Sequence, residues 1–103
     1  MKKKPRTKIE QQFDLYNELY FNGKLSGRVR WAKLPRKELG EFEPPNIIRL
    51  NIRTRHWFSV WASTLLHEMA HLYTEGIEEE EHGPCWHATM QALLTRGAFN
   101  NLI

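Results

Sequence analysis

The sequence has one cysteine, Cys85, in 103 residues. That excludes an internal disulfide framework and any zinc site built from several thiolates, and makes a reducing compartment the default. No apolar run approaches the roughly 18 residues that a membrane-spanning helix needs. The opening Met1-Lys2-Lys3-Lys4-Pro5-Arg6 is basic, like the start of a secretory signal, but Thr7-Lys8-Ile9-Glu10-Gln11-Gln12 follows where an apolar stretch would be required. The expected setting is therefore intracellular, cytoplasmic or around the nucleoid or nucleus, with no membrane partner and the chain a monomer. No internal repeat is present, and no linker long enough to separate a pair of domains. The second half is short of positive charge: residues 67–103 hold Arg96 against six Glu, a balance of −5.

What is present suits one folded domain. Hydrophobic residues are 41% and four are Trp, which is not a disordered composition. Two cores would each be too small to stand without staples. Residues 1–66 hold 14 Lys/Arg against 6 Asp/Glu, a balance of +8 that suits a polyanion such as nucleic acid. Five of those 14 cations lie in the first eight residues, so a solvated basic terminus accounts for some of it. Residues 1–8 read as a flexible basic arm and residues 9–103 as the domain.

Hydrophobic spacing orders the elements. Ile9, Phe13, Tyr16, Leu19 and Tyr20 suit an amphipathic helix over 9–21, ended by Asn22-Gly23. Residues 29–33 and 39–42 read as short strands bounded by prolines. Residues 47–52 read as the strongest strand, with Ile48, Leu50 and Ile52 on one face. The period then changes. Ser59 can cap a helix running to Thr74 or Glu75, stopped at Gly76. Trp61, Ala62, Leu65, Met69, Leu72 and Tyr73 fall on one broad side of it, and His67 and His71 on the other. Glu78–Glu81 read as a solvated loop. Pro84 opens a last helix that Gly97 stops, with Trp86, Met90 and Leu93 or Leu94 buried. This order is α+β: a short antiparallel or mixed sheet packed on the central helix, with a further C-terminal helix.

The segment with chemistry is His67-Glu68-Met69-Ala70-His71. Residues four apart share a helix face about 6 Å apart along the axis, so two imidazoles can hold one ion. Glu68 lies about 100° round the helix, beside the ion, where a carboxylate can take a proton from a water that the ion holds. A catalytic zinc needs a third protein ligand. Glu75 lies about 12 Å from His67 along one helix, too far to share the ion. The turn at Gly76 lets the chain bring His82 back over the first two histidines. His87 is the competitor, about 140° round a helix from His82. One zinc per chain is expected.

Thr64-Leu65-Leu66-His67-Glu68-Met69-Ala70-His71, followed by His82-Gly83-Pro84-Cys85-Trp86, resembles the SprT-like (Spartan) metalloprotease domain. Phe21-Asn22-Gly23-Lys24-Leu25 is similar to that family's Phe-Asn-x-x-Leu helix ending, and the likeness covers roughly residues 9–97. It implies a zincin-like fold, a zinc ion on His67, His71 and His82, and Glu68 as catalytic acid/base. It also implies a protein substrate, notably protein crosslinked to DNA, with single-stranded or duplex DNA as activator. The ten residues between His71 and His82 make a compact interligand loop.

Arg49, Arg53, Arg55, Trp57 and Trp61 interleave cations with aromatics, as single-strand grooves do, or else the aromatics pack the start of the central helix. Cys85 reads as a buried small residue, and His56 as an ordinary surface or supporting one. Tyr16 and Tyr73 are candidate oxyanion donors. Three functions are compatible with these residues: a zinc endopeptidase acting on DNA-associated proteins, a zinc peptidase cutting one partner without DNA, and a non-catalytic DNA-binding module with structural zinc.

Overall fold

The computed structural model describes residues 6–77 and 80–102. Helix α1 (Lys8–Tyr20) begins at a reciprocal cap: Thr7 Oγ1 accepts from Glu10 N, and Thr7 N donates to the Glu10 carboxylate. Arg6 pairs with Asp14 at 2.9 Å and with Glu10 at 3.4 Å. Residues 6–8 therefore belong to the helix start, where the sequence suggested a free arm; residues 1–5 lie outside the described residues. Ile9, Phe13 and Tyr16 are buried, and buried Asn17 exchanges two hydrogen bonds with the Leu25 backbone, latching the turn that carries Asn22 and Gly23 at positive φ.

Strands β1 (Arg28–Ala32), β2 (Gly40–Glu43) and β3 (Ile47–Asn51) form one mixed sheet in the order β1-β3-β2. β3 is central, parallel to β1 and antiparallel to β2, and its Ile48 and Leu50 are fully buried. The strand stops at Asn51, one residue before the sequence reading, so Ile52 does not extend the Ile48–Leu50 face. The reason is local: Asn51 Oδ1 accepts from Arg53 N and Thr54 Oγ1 donates to Asn51 O, winding residues 52–54 into a 3-10 turn. The Asn51 side-chain amide also donates to the Glu38 carbonyl at 2.8 Å, tying down the β1–β2 connection.

Asn51 N donates to Leu39 O, which sets the phase of the β2–β3 ladder. Glu41/Arg49 and Glu43/Ile47 are then the bonded pairs, while Gly40 and Phe42 turn their N–H and C=O to the outer edge of β2. No further strand lies on that edge among the described residues.

Helix α2 (Phe58–Thr74) crosses the inner face of the sheet. Its hydrogen-bond ladder starts at the Trp57 carbonyl, which accepts from Val60 N and Trp61 N, so Ser59 sits inside the first turn and caps nothing. Leu65, Leu66, Met69 and Ala70 are fully buried, because sheet, α1 and the C-terminal helix each cover a portion of its circumference. Tyr73 departs from the expected buried side: it is 44% exposed and leans on Phe21. Helix α3 (Pro84–Thr95) has Pro84 in its first turn and buries Trp86 and Leu93, with Met90 half-buried and Leu94 exposed. Gly97 at φ 82° lets the chain fold back, placing Ala98 and Phe99 in the core. Arg96 donates to the Leu19 and Tyr20 carbonyls and lies over the Tyr20 ring, a cation at the C-terminal end of α1. The fold is a small α+β domain with three α-helices and a three-stranded mixed sheet among its described residues.

Candidate metal centre

His67 and His71 are one turn apart on α2, their rings 5.1 Å apart. His82 comes from the turn preceding α3, and its ring lies 5.4 Å from His67 and 4.8 Å from His71. The Nε2 atoms of His71 and His82 are 3.1 Å apart, and one ring nitrogen from each of the three histidines falls within 4.8 Å of the others. Two zinc–nitrogen bonds of about 2.0–2.1 Å at a tetrahedral angle place their nitrogens about 3.4 Å apart. Three neutral imidazoles are a donor set suited to zinc and similar borderline ions. These residues can hold a metal ion.

Aromatic packing fixes the rings. Trp86, buried in the first turn of α3, lies 4.3 Å from His82, 4.9 Å from His67 and 5.4 Å from His71. Phe42 of β2 stacks on the His71 ring at 6.4 Å with an interplanar angle of 11°. His71 thus lies between two aromatic rings. The periodicity of α3 gives Trp86 only a packing role; its place four residues beyond His82 is the sequence signal for contact with the cluster.

Burial acts on the ionisable groups. It lowers the His67 pKa, assisted by the charge of His82, and lowers His71 to about 4, assisted by His67 and His82. His71 therefore stays neutral, with its lone pair available, well into mild acid, and the shift of His67 is in the same direction. Glu68 is 6% exposed, and burial pushes its carboxyl up to about 7, with the charges of Glu81 and Glu41 adding. It lines a cleft beside His67 that also takes in Gly40, Thr64, Met90 and Phe99. A second, more polar hollow flanks His71, between Phe42, Pro44, Thr74 and Glu75.

Other candidates are placed elsewhere. His87 is exposed and touches the outside of Trp86, and it is not a member of the histidine cluster. Tyr16 is buried in the α1 core and Tyr73 packs on Phe21, so neither lines either hollow. Cys85 is exposed, correcting its reading as a buried residue. It precedes Trp86 by about 100° of helix turn, so burying Trp86 leaves Cys85 outward.

The cation–aromatic set does not converge. Arg49 alternates with Ile48 and Leu50, so it leaves the opposite face of the sheet, where it pairs with Glu41 and Glu43 at 3.3 Å each. Arg53 donates to the Arg36 carbonyl and Arg55 to the Ile52 carbonyl. Trp57 is 58% exposed while Trp61 is 5% exposed, so one aromatic is rim and the other core. Arg55 and His56 do line a separate groove with Lys8, Leu15, Phe58 and Trp61.

Residues 9–101 match the model of the SprT-like family. The chain belongs to that family. The match takes in the three helices, apart from Lys8 at the start of α1, and the whole sheet of this SprT-like domain, together with His67, Glu68, His71 and His82. No curated protein and no solved structure gives a match. Membership in this metalloprotease family agrees with a metallopeptidase-like domain whose three histidines can share one ion. No helix among the described residues is long and apolar enough to cross a membrane.

Proposed function

We propose that this SprT-like domain is a zinc-dependent endopeptidase with a zincin-like site, holding one zinc on His67, His71 and His82 and using Glu68 as its acid/base. The observation that carries the reading is the convergence of three imidazole nitrogens beside one buried carboxyl in an open cleft. Zinc bound there would supply Lewis acidity, polarising a scissile carbonyl and acidifying water. The residues supply the rest. Phe42 and Trp86 hold the imidazoles in place. The outer edge of β2 offers Gly40 and Phe42 main-chain groups to an extended peptide, which would lie as an added strand across the histidines. Glu68, next to His67 in that cleft, takes a proton from the attacking water and returns it to the leaving amine. Burial raises this carboxyl's pKa in the metal-free protein, and the charge of a bound zinc would lower it again, favouring the carboxylate that accepts the proton. A purely structural metal site has no use for such a group, which argues against the non-catalytic reading.

The substrates proposed are DNA-associated or DNA-crosslinked proteins. The support is the +8 balance of residues 1–66 and the groove that Lys8, Arg55 and His56 share with exposed aromatic surface. The partner-specific peptidase that needs no DNA is favoured by one observation, the neutralisation of Arg49 by Glu41 and Glu43. Proteolysis of a DNA-bound protein, with and without DNA and chelator, tests both. Cleavage that requires zinc and Glu68 and rises with DNA is expected. Zinc-dependent cleavage indifferent to DNA supports the partner-specific reading, and cleavage undiminished by chelator rejects the zinc mechanism.

A further inference from the structure

The cleft beside Glu68 has a volume of about 490 Å³ and lies between the start of β2, the middle of α2, and the α3–C-terminal turn. Its inner walls are the side chains of Met90 and Phe99, with Leu39 at the mouth. Ser63 and Thr64 also line it, but their hydroxyl protons are committed to main-chain carbonyls of α2, at 2.8 Å to Ser59 and 2.7 Å to Val60. Lys37 and Glu38 on its border carry opposite charges, so they favour neither sign of ligand. The hollow on the other side of the histidines is lined instead by Thr74, Glu75 and Glu81. The two ends of the site therefore differ in polarity.

Gly40 decides what reaches the apolar end. Residues directly opposite one another on neighbouring strands point their side chains to the same face. Gly40 faces α2, as its Leu50 partner does, and its main-chain groups lie on the open edge. A peptide residue seated opposite Gly40 would therefore point its side chain toward α2, where Gly40 has none of its own.

We propose that this cleft is a side-chain selectivity pocket: it takes an apolar residue such as Leu, Met or Phe at one fixed position next to the scissile bond, with Met90 and Phe99 setting the preference. The assignment rests on the peptidase reading for its place beside the scissile bond, but binding can be measured without catalysis. Two soluble nine-residue peptides of Gly, Ser and Thr, one with a central Leu and one with a central Asp, are titrated into zinc-loaded Glu68→Gln protein. The ¹³C-methyl resonances of Met90 and Met69 and the Gly40 amide resonance are followed, with Met90→Leu used for assignment. The Leu peptide is expected to bind about tenfold or more tightly than the Asp peptide. It should shift Met90 and Gly40 and leave buried Met69 in place.

In parallel, wild-type cut sites are mapped by mass spectrometry in an unfolded protein such as casein. They should show Leu, Met or Phe enriched at one position flanking the cut. Met90→Glu should move that preference to Lys and Arg. Should Met90→Glu not fold, Met90→Ala serves the same purpose, by shifting preference toward Phe and Trp in an enlarged pocket. Equal binding of both peptides, shifts that spare Met90, or cut sites with no apolar bias would overturn the pocket. Selective Leu binding at Met90 without any cleavage would leave the pocket standing and remove the peptidase. Cleavage without bias would do the reverse.

Discussion

A Cβ built on Gly40 would lie 2.7 Å from Cγ2 of Thr64 and 3.1 Å from the Arg49 carbonyl oxygen. The edge strand β2 thus approaches α2 as closely as a residue without a side chain allows, one turn ahead of His67 and Glu68. This contact sets the width of the cleft at its Glu68 end.

Gly40→Ala is expected to push β2 away from α2. The predicted loss is about 1–3 kcal/mol of stability, with a fall in kcat/KM larger than the unfolded fraction explains. Adding Thr64→Ser deletes the nearer obstacle and should restore some of each. Urea denaturation and peptide cleavage of the single and double variants measure this. A Gly40→Ala protein with unaltered kcat/KM would show that the close approach does not matter to the site.

His82→Ala should weaken zinc binding by about 100-fold or more, since two imidazoles on one helix are left as the protein ligands. His87→Ala should retain zinc, because His87 sits outside the cluster on the far side of Trp86. Competition against a chromophoric chelator gives both affinities. The opposite pattern would move the third ligand to His87.

Burial raises Glu68 from near 4.5 to about 7, so the metal-free folded protein keeps a proton that the unfolded chain releases. Between those values the native state binds more protons, and stability therefore falls as pH rises through that window. The penalty is fully present by pH 8 and amounts to about 3 kcal/mol. Glu68→Gln removes it, so the metal-free variant should be the more stable at pH 8 and converge with wild type toward pH 4. His67 and His71 act in the other sense. Burial holds both below their ordinary value near 6.5, so the unfolded chain protonates first and both proteins lose stability together as pH falls from there toward 4. Urea titrations in EDTA across pH 4–8 test this, and curves that run parallel throughout would contradict the raised carboxyl. With zinc restored, Glu68→Gln should keep its metal and lose peptidase activity by orders of magnitude.

DNA binding, if it uses the front half, should be weak and salt-sensitive. Each neutralised phosphate contributes about −0.9 to the slope of log K against log salt for duplex and about −0.7 for single strands. Arg55→Ala and Lys8→Ala should flatten the slope. Arg49→Ala should not, because its guanidinium is already paired with two carboxylates. Trp57→Ala should stay folded, given its exposure, and lose about 1–3 kcal/mol of single-strand affinity. A wild type without salt dependence, together with unchanged Trp57→Ala binding, would favour a peptidase that recognises its partner without DNA.

The local elements were legible because they follow from spacing and punctuation. The apolar periodicity of α2, Gly76 and Gly97 as stops, Pro84 as a start, and the Ile48–Leu50 face of β3 are each written within a few residues. The His67–His71 pair was legible for the same reason, since four residues on a helix bring two side chains onto one face. Ser59 misled because capping chemistry names a residue type, while the incoming 3-10 turn decided that the first free carbonyl would be that of Trp57.

What the sequence by itself determined was the α+β order, the paired histidines with their neighbouring carboxylate, and the turn that frees His82 from α2. The tertiary structure decided the rest, because it depends on which distant segments share a surface. It placed Trp86 against all three imidazoles, Phe42 on His71, and the open edge of β2 across the cleft. It also separated Arg49 from Arg53 and Arg55, which would share its face on a continued strand, because the chain leaves β3 at Asn51 and winds into a 3-10 turn. Periodicity specifies which face of an element is buried; it carries no information about which partner buries it, and that partner set the geometry of this site.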